Sequence, residues 1–143
     1  MREEKILRKV LSDHTLKVTK PRLIVFRLLL KSEPKSVAEL VTESRGKVDR
    51  VSIYRIIDLY ERLGIVRRVA LGWKYKIELS EIFFDHHHHI VCLRCHKIVA
   101  VHETEASENI ISALANGTGF TVTSHHLELQ GYCAKCQKSV RQH

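Results

Sequence analysis

The sequence predicts an α+β protein in two parts. Residues 1–82 read as an N-terminal winged helix-turn-helix, and residues 83–143 as a small C-terminal α/β domain with a four-cysteine zinc site. Three observations lead there. About sixty residues of helical periodicity are followed by a β-hairpin without a crossover helix. The basic excess is confined to the first part, where 19 Lys+Arg stand against 11 Asp+Glu, while the second part has 5 of each. All four cysteines and nine of the ten histidines lie in the second part. A basic part beside a Cys/His-rich part suggests one surface for a polyanion and another for metal.

The elements follow in order. Residues 3–12 form a helix with Ile6, Leu7, Val10 and Leu11 on one face. Thr19 stands where it can cap a second helix, and Pro21 falls in the first turn, where a missing N–H costs little. Ile24, Val25, Leu28 and Leu29 are its apolar side, and Pro34 ends it. Ser36 caps a third helix carrying Val37, Leu40 and Val41, stopped by Gly46. A fourth begins near Asp49, buries Ile53, Ile56, Ile57, Tyr60 and Leu63, and ends at Gly64. Residues 65–71 and 74–79, split by Gly72-Trp73, read as the hairpin. Residues 80–85 read as a linker. Strands are expected at 86–92 and 97–102. A helix is expected at 103–115 with Ala106, Ile110, Ala113 and Leu114 on one side, and strands again at 120–123 and 125–130.

Several classes drop out. No run of eighteen apolar residues exists, so no transmembrane helix is expected. The first residues lack the apolar stretch of a signal peptide, so the expected location is cytoplasmic, where disulfides are disfavoured. No membrane partner or small-molecule substrate is implied. Neither an HExxH nor an HxE…PCxxC motif is present, so a zinc hydrolase or deaminase is not expected. The chain reads as a non-enzyme.

Two pairs, Cys92-x-x-Cys95 and Cys133-x-x-Cys136, supply four thiolates in two tight knuckles, which suits tetrahedral zinc. Four sulfurs fill the shell, so this zinc is structural. In the run His86-His87-His88-His89, a strand would send His86 and His88 to one face and His87 and His89 to the other. His125 shares its strand face with Leu127 and Leu129, and Glu108 sits at the edge of its helix's apolar face. The set His86, His88, Glu108 and His125 then has the N3O1 character suited to a second divalent ion, zinc or iron(II). On the fourth helix, Arg50, Tyr54, Asp58 and Glu61 follow an outward row with Arg55 beside it. A recognition helix presents such first-turn residues to base edges and phosphates.

These stretches carry a resemblance. Thr19-Lys20-Pro21-Arg22, then 51–57 (Val-Ser-Ile-Tyr-Arg-Ile-Ile), Gly64-Ile65-Val66, 86–95 and 119–136 are similar, in consistent order, to the ferric uptake regulator family, which covers zinc, iron, manganese and peroxide sensors. The resemblance implies a C-terminal dimerisation domain and homodimers that bind A·T-rich inverted repeats of double-stranded DNA, usually to repress. The DNA-contacting set it suggests is Lys20, Arg22, Arg50, Ser52, Tyr54 and Arg55. It also implies regulation by Zn²⁺, Fe²⁺ or Mn²⁺.

The family's usual sensing site is depleted here. Its early histidine falls near Pro34, its acid eight residues after Cys92 falls on Ala100, and its wing acid falls on Lys76, with Glu78 as a same-face substitute. His87, His89 and Glu78 are therefore expected to form at most a weak second site. The family's other site maps onto His86, His88, Glu108 and His125, all present. The depletion leaves an alternative, a zinc-stapled winged-helix protein that binds DNA without sensing metal. A peroxide sensor is not expected, because the acid and histidine it needs are the ones lost.

Overall fold

The computed structural model describes residues 1–31 and 33–140. The chain divides into two compact units, Met1–Asp85 and His86–His143.

The first unit contains α1 (Arg2–Asp13), α2 (Lys20–Leu29), α3 (Val37–Glu43), α4 (Arg50–Arg62) and an antiparallel pair, β1 (Val66–Leu71) and β2 (Lys74–Leu79). Local chemistry sets these boundaries. Thr19 is the N-cap residue of α2, although its side chain makes no capping bond, and Pro21 lies in the first turn. The helix stops at Leu29, before Pro34 can act on it. A full capping box opens α3: Ser36 Oγ accepts from the Glu39 amide, and the Glu39 carboxylate accepts from the Ser36 amide. Asp49 opens α4, its side chain accepting from the Ser52 amide.

The core is continuous across this unit. Leu7 and Leu11 from α1, Val25 and Phe26 from α2, Leu40 from α3, and Ile53, Ile57 and Tyr60 from α4 are buried together with Ile65, Ile77 and Leu79. Tyr60 is fully buried, and its hydroxyl donates to the Arg22 carbonyl at 2.8 Å, joining α4 to α2. Burial and the loss of water hold the Tyr60 phenol far above its ordinary pKa, so it stays a donor. The hairpin is anchored at its root, where the amides and carbonyls of Lys35 and Ile77 exchange two bonds of 2.8 and 2.7 Å.

The segment 80–85, expected as a linker, is folded into the first unit. The Ser80 amide donates to the Ile65 carbonyl, and the Phe83 amide to the Ser80 carbonyl. Phe83 is buried edge-on to Phe26 with ring centroids 5.2 Å apart. An aromatic ring in this segment has more to gain from the core than from water.

The second unit holds a three-stranded sheet ordered β4-β3-β5, with β3 (His87–Cys92) in the middle. It pairs antiparallel with β4 (Ile98–His102) and parallel with β5 (Glu128–Gly131). Helix α5 (Glu105–Ala115), capped by Thr104, connects β4 to β5, and α6 (Ala134–Val140) carries the last cysteine. Two expectations change here. Residues 120–127 form no strand, and the last strand begins at Glu128. The apolar side of α5 is exposed, with Ile110 and Leu114 open to solvent. A single copy of the chain lacks the surface that would cover either feature.

Phe83→Ala is expected to cost about 3 kcal/mol, the lower end for a buried phenylalanine, measured by denaturant unfolding. A change within about 0.5 kcal/mol, typical of a surface position, would return 80–85 to the status of a linker.

Candidate metal centres and nucleic-acid interface

The first centre lies where the β3–β4 turn meets the start of α6. Cys92, at the end of β3, is buried, and Cys95 follows in the turn. The chain leaves this knuckle through His96 at φ 63°, a left-handed conformation that non-glycine residues adopt only at some cost. Cys133 and Cys136 come from the start of the last helix. The four sulfurs lie within 4.8 Å of one another, and Cys95 Sγ is 3.7 Å from Cys133 Sγ. Tetrahedral Zn–S bonds of about 2.3 Å separate sulfurs by about 3.8 Å, so the spacing fits zinc.

Electrostatics point the same way. The Cys95 and Cys133 backbone amides hold the Cys92 thiol down to about 6. The Cys136 amide lowers Cys133 in the same manner. Loss of water and the crowding of its fellow thiols push Cys136 up to about 12. A cation that draws off that last proton completes the set.

The second centre uses one face of β3. The rungs run His87 opposite His102 and His88 opposite Val101. His86 and Glu103 lie just beyond that last rung, each next to its strand end. The Glu103 Oε1 atom lies 3.5 Å from His86 Nε2, 3.6 Å from His88 Nε2 and 3.2 Å from His125 Nε2. His86 Nε2 and His125 Nε2 are 3.0 Å apart. Three imidazole nitrogens and one carboxylate oxygen thus face a common point, all within 4.8 Å of one another. Ligands about 2.1 Å from a tetrahedral zinc stand roughly 3.4 Å apart, so the residues present fit a divalent ion.

Glu108, expected in this set, stands one step outward with Oε1 3.4 Å from His125 Nε2. That oxygen is shut from solvent and has no hydrogen-bond donor among the described residues. Glu103 is the carboxylate of this cluster that the sequence analysis did not include. Its signal is its place between the end of β4 and the Thr104 cap of α5, where an acid reads as helix decoration.

The remaining histidines of the run, His87 and His89, have ring centroids 4.8 Å apart on the other face of β3. Ala100 is the cross-strand neighbour of His89. Glu78, nominated beside them, belongs to the first unit, where Arg67 Nε lies 2.6 Å from its Oε1 across the β1–β2 ladder.

The third feature is the outer face of α4. Arg50, Tyr54 and Arg55 are exposed, as is Lys20. None of the four makes an ion pair among the described residues, whereas Arg27, Lys35, Lys76 and Arg68 are each matched to a glutamate. Two other expected contacts are partly engaged. Ser52 Oγ donates to Asp49 Oδ2, and one guanidinium nitrogen of Arg22 donates to the Lys17 carbonyl.

Residues 13–130 match the family model described as "Ferric uptake regulator family". The ferric uptake regulation protein of Neisseria gonorrhoeae is 32% identical over 133 residues, covering 89% of this chain and 90% of that one. Among solved structures, the Helicobacter pylori ferric uptake regulator, described as having three functional metal-binding sites, superposes with a TM-score of 0.80. It is 23% identical, with 95% of this chain and 92% of that one covered. The Vibrio cholerae regulator gives a TM-score of 0.75 at 28% identity, over 88% of this chain and 98% of that one.

Cys92→Ser or Cys136→Ser is expected to remove close to one zinc per chain and to lower the stability of the second unit, checked by metal analysis and thermal melting. Retention of both zinc and melting temperature would eliminate the four-thiolate centre.

Proposed function

The chain belongs to the ferric uptake regulator family, and from that premise we propose that it is a cytoplasmic, metal-responsive transcription regulator. It binds double-stranded DNA as a homodimer through α4. A divalent ion, Zn²⁺, Fe²⁺ or Mn²⁺, held by His86, His88, His125 and the carboxylates Glu103 and Glu108 controls that binding.

One observation carries the regulatory part of this reading. Three imidazole nitrogens from two distant stretches converge on a single carboxylate oxygen. Such a cluster of lone pairs and partial charges is poorly stable without a cation between them, and nitrogen with carboxylate suits zinc or iron(II). An ion there would tie β3, the turn before α5 and the segment before β5 into one arrangement. It acts on DNA only so far as it binds the DNA-competent arrangement more tightly than the other.

The DNA part rests on charge and exposure. Arg50 and Arg55 flank Tyr54 in the first turns of α4 with no acidic partner, as a helix entering a major groove requires. Lys20 and Arg22 add charge at the start of α2, and Ser52 completes the set. The exposed apolar residues Ile110, Leu114 and Phe120 of the second unit supply the dimer surface. His87 and His89 keep only a weak second role, because Ala100, the cross-strand neighbour of His89, offers no ligand atom where the family has an acid.

The test measures duplex affinity of protein carrying only the thiolate zinc, then with added Zn²⁺, Fe²⁺ or Mn²⁺. Added metal is expected to shift wild-type affinity by roughly 5–150-fold, the usual range of allosteric coupling. His125→Ala abolishes the shift while leaving the thiolate zinc in place. Tyr54→Ala and Arg55→Ala weaken binding in either state, and Arg55→Ala lowers the salt slope by about one. Wild-type affinity unmoved by every added ion would make the chain a constitutive DNA-binding protein.

A further inference from the structure

One hydroxyl joins the two stretches that carry the basic surface of the first unit. Tyr60 lies near the end of α4 on its core side and is 0% exposed. Its oxygen reaches the first turn of α2 and donates to the Arg22 carbonyl at 2.8 Å. Among the described residues this is the only hydrogen bond between α2 and α4. Otherwise the two helices share an apolar core, with Val25, Phe26 and Leu29 of α2 and Ile53, Ile56 and Ile57 of α4 in one cluster. Apolar attraction is non-directional. A hydrogen bond is directional and fails once donor and acceptor part beyond about 3.2 Å. A phenylalanine would fill the same space, and a buried hydroxyl costs free energy unless it is bonded. The oxygen therefore adds register to packing that the ring already supplies.

The first turn of α2 has little else to hold it. Thr19 is its N-cap, but the Thr19 side chain makes no capping bond, and Pro21 has no N–H. The chain enters through residues 14–19, with Thr15 at φ 57°. One further bond shapes this turn: the Arg22 guanidinium donates to the Lys17 carbonyl. Arg22 is thus held at its backbone by Tyr60 and at its side chain by the entering loop. Lys20, in the same turn, is exposed and has no ion pair among the described residues. Tyr54 and Arg55 lie roughly 8–9 Å back along α4 from Tyr60. Phosphates succeed one another about every 3.4 Å along a strand, and a charge-assisted bond to one spans about 2.7–2.9 Å. A slide of α2 along α4 by about an ångström therefore takes Lys20 off the phosphate that it meets when α4 is seated.

We propose that Tyr60 is a positioning residue for DNA binding: its hydroxyl registers the first turn of α2 against α4, so that Lys20 and the outward row of α4 engage one duplex together. This rests on the reading of α4 as a DNA-binding helix. Tyr60 itself touches no DNA, because its side chain is enclosed by the core. It acts through Arg22, whose carbonyl it holds, and so through the turn that carries Lys20. The consequence is specific. Removing the oxygen removes no charge, yet it costs the phosphate contact made from α2, because that contact depends on register.

A double-mutant cycle read across a salt series tests this. Zinc-loaded full-length protein is used, with a labelled duplex that the wild type selects from a random-sequence pool, and affinity is followed by anisotropy. The variants are Tyr60→Phe, Lys20→Ala and the two combined. Tyr60→Phe is expected to weaken binding roughly 3–10-fold, the range of one lost hydrogen bond, and to lower the salt slope by about one without loss of a charge. Lys20→Ala is expected to act fully on the wild type and, on a logarithmic scale, less than about half as strongly on Tyr60→Phe. Ile57→Val trims the core of the same helix and keeps the hydroxyl, so it controls for stability alone. It is expected to leave both the salt slope and the effect of Lys20→Ala as in the wild type. An unchanged salt slope in Tyr60→Phe with an additive Lys20→Ala overturns the proposal and leaves the DNA-binding reading intact. Equal changes in Ile57→Val also overturn it, making Tyr60 a core residue only. Failure of the wild type to select any duplex removes both readings.

Discussion

The second unit has almost no hydrophobic core and instead gathers metal-ligating side chains at both ends of its central strand, and the rest of the account depends on that. Among its described residues only Val91 and Cys92 count as buried apolar side chains, and the others most withdrawn from water are His88 and His89. The first unit assembles a core from four helices and a hairpin. A unit this size with so little apolar burial cannot offset the entropy of ordering its chain. Four cysteines at one end of β3 and an imidazole–carboxylate cluster at the other would supply the missing cohesion on binding cations. The two centres differ in what they leave free. Four thiolates would saturate a zinc ion, whereas a site of three imidazoles and a carboxylate would hold its ion with mixed ligands, which is why the proposed regulation is placed there.

The same scarcity explains the exposed faces. An amphipathic helix with no buried residue and the exposed Phe120, Val122, Leu127 and Leu129 are costly in isolation. A second copy of the chain removes that cost, and it doubles the α4 surface presented to a two-fold symmetric DNA site. Cohesion, assembly and DNA geometry therefore meet in one small unit, which is where an ion has most leverage.

Legibility in the sequence followed the range of the interactions. Helix boundaries set by local chemistry were readable: Ser36 with Glu39 and Asp49 with Ser52 open α3 and α4 where expected. The hairpin and its two-residue turn were readable from Gly72 and the flanking alternation. The two CxxC pairs were readable because four sulfurs at that spacing admit few alternatives. Features that depend on partners distant in sequence were not. Glu103 joins the imidazole cluster from just beyond the end of β4, and the pairing of β4 on β3 that brings it there is not revealed by periodicity. Phe83 looked like linker because its partner, Phe26, lies far back in the chain. The strand expected at 120–123 has the composition of one but no ladder neighbour within a single copy. His125, expected on a strand face, lies outside β5, two residues before Leu127, whose carbonyl accepts from the His89 amide.

The central claim is that an ion at His86, His88, Glu103 and His125 and a duplex at α4 bias the same equilibrium. Linkage makes that directly measurable, because coupling between two binding events is reciprocal. The affinity of the chain, with its thiolate zinc in place, for the second ion is measured by competition against a chelating dye, with and without saturating duplex. The account predicts that DNA changes metal affinity by the same factor by which metal changes DNA affinity. Metal affinity that is identical in the presence and absence of duplex would contradict it.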